Sequence, residues 1–199
     1  MIIPRGVLSV ALAAWFGLSG AWPAAAVDII SRQEWGAKPS VLPMEKQVPT
    51  RITIHHTAVP SKGGLSIVKK LRNLQAFSQA TSKLADGRTK KPWADIPYHY
   101  YIAIDGKVAE GRPVGFVGDT NTKYDPTGHI TIVVEGNFER EKPSAAELVS
   151  LKALILSLSR QYSIPASRIG VHSDFARTAC PGKNLEGEVR TIVASIAAP

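Results

Sequence analysis

Apolar and polar positions change period several times along the chain, and each change marks an element. From Arg51 to Thr57, Ile52 and Ile54 alternate with polar neighbours, which predicts a short strand. From Ser66 to Leu84, Ile67, Leu71, Leu74 and Phe77 recur at helical spacing, so one helix face should pack on a sheet. Asp86-Gly87 stops that helix, and the Lys/Arg-rich stretch to Lys91 reads as an exposed loop. Tyr98 to Ile104 reads as a strand, with Asp105-Gly106 turning it into Lys107–Glu110 as a hairpin. Gly115 to Thr127 is a long loop without periodicity. Ile130 to Val134 is almost wholly apolar and β-branched, the mark of a central strand covered on both faces.

Pro143 and the capping box Ser144-Ala145-Ala146-Glu147 open a second long helix, striped by Leu148, Leu151, Leu154, Ile155 and Leu158. Ile169 to Val171 is a short strand leading into His172, and Glu186 to Ile196 is a last helix. Strands alternate with helices, yet one strand pair is a hairpin. The pattern therefore predicts a single α/β domain with a central mixed β-sheet flanked by helices on both faces.

The first 26 residues read differently. Arg5 is the sole charge before Asp28, an apolar run spans Val7 to Leu18, and Ala24-Ala25-Ala26 offers a small-x-small cleavage site. That is the build of a secretory signal peptide, leaving residues 27–199 as the mature domain. No second run of about 18 apolar residues follows, so no stable membrane anchor is expected. The chain is basic, with a formal net charge of +8. A basic exported domain is drawn to polyanions. The basic residues are dispersed and lack interleaved aromatics, which argues against nucleic acid as a partner. A secreted or periplasmic monomer is the expected form.

Export makes the cysteine count informative. Cys180 is the single cysteine, so it has no internal disulfide partner. Three roles remain: buried packing, a bond to another chain, or a metal ligand. His55 and His56 stand at the end of a strand, and His172 follows another, where α/β sheets place their ligands. Adjacent strand residues face opposite ways, so only one of the His55–His56 pair can face a given cleft. One of them, with His172 and Cys180, would make a mixed N/S set of three. Three ligands leave a fourth tetrahedral position for water, the pattern of catalytic rather than structural zinc.

Several segments in order carry a resemblance. They are Arg32-Gln33-Glu34-Trp35-Gly36-Ala37, Ile52-Thr53-Ile54-His55-His56-Thr57, and Leu74-Gln75-Ala76-Phe77. Trp93 through Tyr100, Asp105-Gly106 through Arg112, Glu135-Gly136-Asn137-Phe138, and His172 to Gly182 complete the series. Over nearly all of the mature chain the sequence resembles the peptidoglycan recognition protein / type 2 N-acetylmuramoyl-L-alanine amidase family. The resemblance implies that fold, a zinc cofactor held by His55, His172 and Cys180, and peptidoglycan as the partner. It also implies catalytic roles for Tyr98 and Thr178, and hydrolysis of the amide between N-acetylmuramic acid and L-alanine. Family members without the cysteine bind peptidoglycan but leave it intact, so a silent binding module is the alternative reading. Donors aimed at a tetrahedral oxyanion stabilise amide hydrolysis, which gives a phenol and a hydroxyl physical purpose there.

Two arginines are candidate substrate contacts. Arg112 leaves the hairpin towards the end of the sheet that carries His55, and Arg177 lies in the segment before Cys180; a guanidinium fork suits a stem-peptide carboxylate. The sequence departs from the family where Val117-Gly118-Asp119-Thr120 lacks the usual histidine. It departs again where His129-Ile130-Thr131-Ile132 opens the central strand, and where a longer segment from Lys83 to Lys91 is expected to form a basic lip over the cleft.

Overall fold

The sheet is organised around one strand. The computed structural model describes residues 27–61, 63–84 and 87–197, so the leader expected over residues 1–26 and Asp86 of the expected turn lie outside it. In chain order the elements are β1 (Ile29–Ile30), α1 (Arg32–Trp35), β2 (Arg51–His56), α2 (Ile67–Gln79), β3 (Ser82–Lys83) and β4 (Thr89–Lys90). Then come β5 (Tyr100–Ile102), β6 (Val108–Glu110), β7 (His129–Val134), α3 (Ala145–Gln161), β8 (Ile169–Val171) and α4 (Lys183–Ala197). Six strands form one sheet in the order β1-β6-β5-β7-β2-β8. Only the β5–β6 hairpin is antiparallel. Every residue of β7 is buried, as its unbroken run of β-branched residues requires.

The two faces of the sheet differ in chemistry. One carries Ile52, Ile54, Ile130, Ile132 and Val134 against Leu151, Leu154, Ile155 and Leu158 of α3 and Leu185, Val189 and Ile192 of α4. Each fully buried aliphatic side chain of this kind contributes about 1.5–3 kcal/mol. The capping box at Ser144 and Glu147 forms as its spacing predicts, closing two donors at the start of α3. On the other face, Trp35, Ile67, Leu71, Tyr101 and Val133 make a smaller apolar cluster beneath α1 and α2. Thr53, His55, His129 and Thr131 alternate with the first set along β2 and β7, so half of this second face is polar and still buried.

Helix α2 ends at Gln79 and not at Leu84. Ala80 is already extended, and the segment expected as an exposed basic loop pairs instead as the β3–β4 hairpin. Lys90 is the reason. Its ammonium is buried and donates to the carbonyls of Ser78, Ala80 and Lys91, closing the C-terminal end of α2 where carbonyls lack helical partners. The same ammonium stands 4.6 Å from the Trp93 ring and 5.4 Å from that of Phe77. Phe77 is thus 42% exposed over Lys90 instead of joining the core stripe. The strand expected at Tyr98–Ile104 is trimmed to Tyr100–Ile102, and the last helix begins a turn earlier, at Lys183. Among the described residues no helix is long and apolar enough to cross a membrane.

Candidate metal centre and its cleft

Two strand ends and one loop meet at the site. Parallel pairing sets Ile54 against Val171, so His172, the next residue along, comes out beside His55. Pleating sends His55 to the polar face, while the His56 ring turns the other way and accepts from the Phe138 N–H at 3.3 Å. The chain after His172 folds back through a 3-10 turn, held by Asp174, whose carboxylate accepts from the Val171 N–H at 2.8 Å and pairs with Arg190. This return brings Cys180 to β2, where its sulfur accepts from the His56 N–H at 3.4 Å. Gly182 then lets the chain press against Phe138. A Cβ at that position would sit 2.4 Å from the Phe138 carbonyl carbon, and its φ of +89 favours glycine.

One ligand atom from each of His55, His172 and Cys180 lies within 4.8 Å of the others. His55 Nδ1 is 3.7 Å from the Cys180 sulfur, and the two imidazole centroids are 4.4 Å apart. A tetrahedral ion with bonds of about 2.0 Å to nitrogen and 2.3 Å to sulfur spaces its donors at about 3.3–3.7 Å. The trio is therefore slightly looser than a closed coordination sphere. His55 Nε2 and His172 Nδ1 are buried with no hydrogen-bond partner. An orphaned buried polar atom costs free energy, and each imidazole of the trio carries one.

Electrostatics point the same way. Burial, and then the neighbouring His172, hold the His55 imidazole well below its ordinary range. Burial lowers His172 to about 4. Both rings are neutral at physiological pH, and neutral imidazoles offer lone pairs. Burial pushes the Cys180 thiol up to about 12, partly offset by the His56 N–H. A cation beside it would reverse that preference and draw out the thiolate. Two neutral imidazoles and one thiol fit a borderline-soft ion such as zinc.

The trio opens onto a cleft of about 320 Å³ walled by Trp93, Tyr98, Asp119, Thr120, Asn121 and Thr178. A cleft of about 420 Å³ lies on the far side, between β1, β6 and α3, but it holds none of the trio. Tyr98 packs on His55 with centroids 5.2 Å apart. Burial raises its phenol above the usual range, with Cys180 the next contributor, so it remains a proton donor. Its backbone is fixed by close approach: a Cβ on Gly111 would lie 2.2 Å from the Tyr98 carbonyl oxygen. The Thr178 hydroxyl accepts from the Cys180 N–H at 3.2 Å, which caps the turn and leaves its own proton free for the cleft.

The two arginines part company. Arg112 is 3% exposed and donates to the carbonyls of Ile96, Asp95 and Val117 and to the Asp119 carboxylate. Its fork is occupied inside the protein, where it clamps the loop that carries Asp119. Register explains this: the Arg112 N–H bonds the Tyr98 carbonyl, which carries the side chain under that loop and not along the cleft. Arg177 is exposed, and among the described residues its side chain has no hydrogen-bond or ion-pair partner. The expected basic lip is altered too, since Lys90 is buried behind Trp93.

Sequence reading missed Thr122, which shares a 2.8 Å hydrogen bond with His172 Nε2. It also missed Tyr124, whose ring lies 5.2 Å from that of His172. Both sit in the aperiodic 115–127 stretch, where no spacing signal exists. His129, at the start of β7, shares a 2.8 Å hydrogen bond with Thr53 Oγ1 and meets Phe175 edge-on at 4.8 Å. It lies four strand positions from the site in the β2–β7 register and serves the polar half of the sheet.

Comparisons place this architecture. The family model for N-acetylmuramoyl-L-alanine amidase matches residues 45–183. Peptidoglycan-recognition protein SA of Drosophila melanogaster is 32% identical over 177 residues, covering 84% of this chain and 79% of its own length. The crystal structure of the Drosophila peptidoglycan recognition protein SD superposes with a TM-score of 0.70 at 28% identity, over 83% of this chain and 94% of that one. Peptidoglycan recognition protein LE, solved in complex with tracheal cytotoxin, a monomeric diaminopimelic acid-type peptidoglycan, gives a TM-score of 0.67 at 28% identity over 82% and 92%. With the mixed sheet and the strand-end site on view, the chain belongs to the type 2 N-acetylmuramoyl-L-alanine amidase family, whose fold the peptidoglycan recognition proteins share.

The buried histidines give a pH signature. His99 and His129 are lowered to about 4, chiefly by burial, against an ordinary value of about 6.5. As pH falls the unfolded chain takes up these protons first, so stability is whole above about 6.5 and drains away towards 4. Urea unfolding of the metal-free protein should show the unfolding free energy falling across that window, with protons taken up on unfolding. A flat profile would contradict neutral burial of these rings.

Proposed function

We propose that this chain is a zinc-dependent N-acetylmuramoyl-L-alanine amidase that hydrolyses the amide between N-acetylmuramic acid and L-alanine in peptidoglycan. On this reading an exported domain, residues 27–199, acts after its leader is removed. The observation that carries the reading is the convergence of His55, His172 and Cys180 beside Tyr98 in an open cleft. Retention of Cys180 favours hydrolysis over recognition alone.

His55, His172 and Cys180 would hold the metal, which when bound would supply the Lewis acidity to activate water and polarise an amide carbonyl. Tyr98, protonated and packed on His55, donates to the oxygen on which charge develops. Thr178 offers a second donor from the segment that carries Cys180. Arg177, exposed and uncommitted, is the candidate partner for a carboxylate of the stem peptide.

Metal analysis of the purified mature protein, followed by mass spectrometry of digested peptidoglycan, tests this directly. One zinc per chain and free stem peptides beginning at alanine are expected, and Cys180→Ser should stay folded while losing both. Zinc bound with every muropeptide intact would leave only the silent binding module. Tyr98→Phe should keep zinc and lower kcat by roughly 10- to 1000-fold; an unchanged kcat removes the phenol from the mechanism. Arg177→Ala should raise KM for peptidoglycan more than it lowers kcat, because the contact is made equally in ground and transition states. Loss confined to kcat would assign the arginine to the loop's shape instead.

A further inference from the structure

The aperiodic loop of residues 115–127 contains a short chain of hydroxyls that ends on a proposed ligand. Thr122 Oγ1 lies 2.8 Å from His172 Nε2 and 2.8 Å from Thr120 Oγ1. The Thr122 backbone N–H also donates to Thr120 Oγ1 at 3.0 Å. Thr120 and Thr122 both border the cleft. On the far side of the same imidazole, His172 Nδ1 is buried and has no partner, and the ring as a whole clusters with His55 and Cys180.

We infer that Thr122 is the positioning residue of the metal centre, fixing the tautomer and ring orientation of His172 so that its Nδ1 lone pair faces His55 and Cys180. This rests on the metal reading above and says how one ligand is held. A neutral imidazole that ligates through Nδ1 carries its proton on Nε2, and that proton needs an acceptor. Thr122 Oγ1 is the acceptor within reach. Its own proton then goes to Thr120 Oγ1, which also takes the Thr122 N–H, so the chain of bonds runs His172 to Thr122 to Thr120.

The arrangement has two structural consequences. With both Thr120 lone pairs engaged, its own proton is left for a further acceptor. The loop is in turn held by Arg112, whose guanidinium grips the Val117 carbonyl and the Asp119 carboxylate. Partners that hold the distal nitrogen of a metal-bound histidine typically change metal affinity by about 10- to 100-fold when removed. Thr122 is placed to act in that way, through His172 and not on substrate.

The test is zinc affinity, read without substrate by competition against a chromophoric chelator. Thr122→Val keeps the shape and removes the acceptor; its zinc dissociation constant should rise about 10- to 100-fold. Thr122→Ser restores the hydroxyl and should stay within about threefold of wild type. Thr122→Val binding zinc as tightly as wild type, or Thr122→Ser as weak as Thr122→Val, would overturn the assignment. A wild-type protein that binds no zinc would instead overturn the metal reading itself. Should Thr122→Val not fold, the imidazole 15N–1H spectrum of zinc-loaded wild type decides: a proton on His172 Nε2 supports the assignment, and one on Nδ1 refutes it.

Discussion

The alternation of side chains along β2 is the constraint on which the site rests. Each position there has a fixed face, so the Ile52 and Ile54 side chains that anchor α3 and α4 also dictate where His55 points. Parallel pairing with β8 then decides which residue stands beside it, and with Val171 opposite Ile54 that residue is His172. Two of the trio, one at the end of β2 and one just past β8, are thus set by hydrogen-bonded strand backbone. Only Cys180 arrives on a loop, and that loop is tied down by the Asp174–Arg190 pair, the His56 N–H and the close approach of Gly182 to Phe138.

Burial gives the second half of the design. A sheet face with histidines and threonines under cover would be costly if the rings were charged or unbonded. His99 shows the remedy: its Nδ1 accepts from the Thr131 N–H at 2.9 Å, and its Nε2 lies 2.8 Å from the Phe116 carbonyl, which can only accept. That fixes a neutral tautomer with the proton on Nε2. His129 similarly meets Thr53. Among the described residues the buried side-chain atoms without a partner include His55 Nε2 and His172 Nδ1 near the strand ends, besides Ser78 Oγ in α2 and Glu147 Oε1 in α3.

Much of this was legible in the chain. The mixed sheet, the central β7, the capping box of α3 and the opposed faces of His55 and His56 follow from period and local chemistry, which act over a few residues. What escaped depends on contacts between distant segments. Nothing near Lys90 says that its ammonium will cap α2, or that Phe77 will leave the helix stripe to lie over it. The hairpin register carries Arg112 towards the His55 end of the sheet, and its burial there is set by four acceptors converging from Asp95, Ile96, Val117 and Asp119. Thr122 is one threonine in an aperiodic loop until the fold sets it against His172.

The fate of Arg112 bears on how a basic protein of this kind meets an acidic polymer. A guanidinium enclosed by carbonyls and a carboxylate contributes rigidity, and its field is largely spent within a few ångströms. Long-range attraction is then left to solvated side chains such as Arg177 and the peripheral lysines, whose reach is set by the ionic atmosphere, about 8 Å at physiological salt. Long-range attraction and local rigidity are therefore assigned to separate sets of charges. The outer set responds to salt, while the inner set keeps the cleft's shape constant throughout.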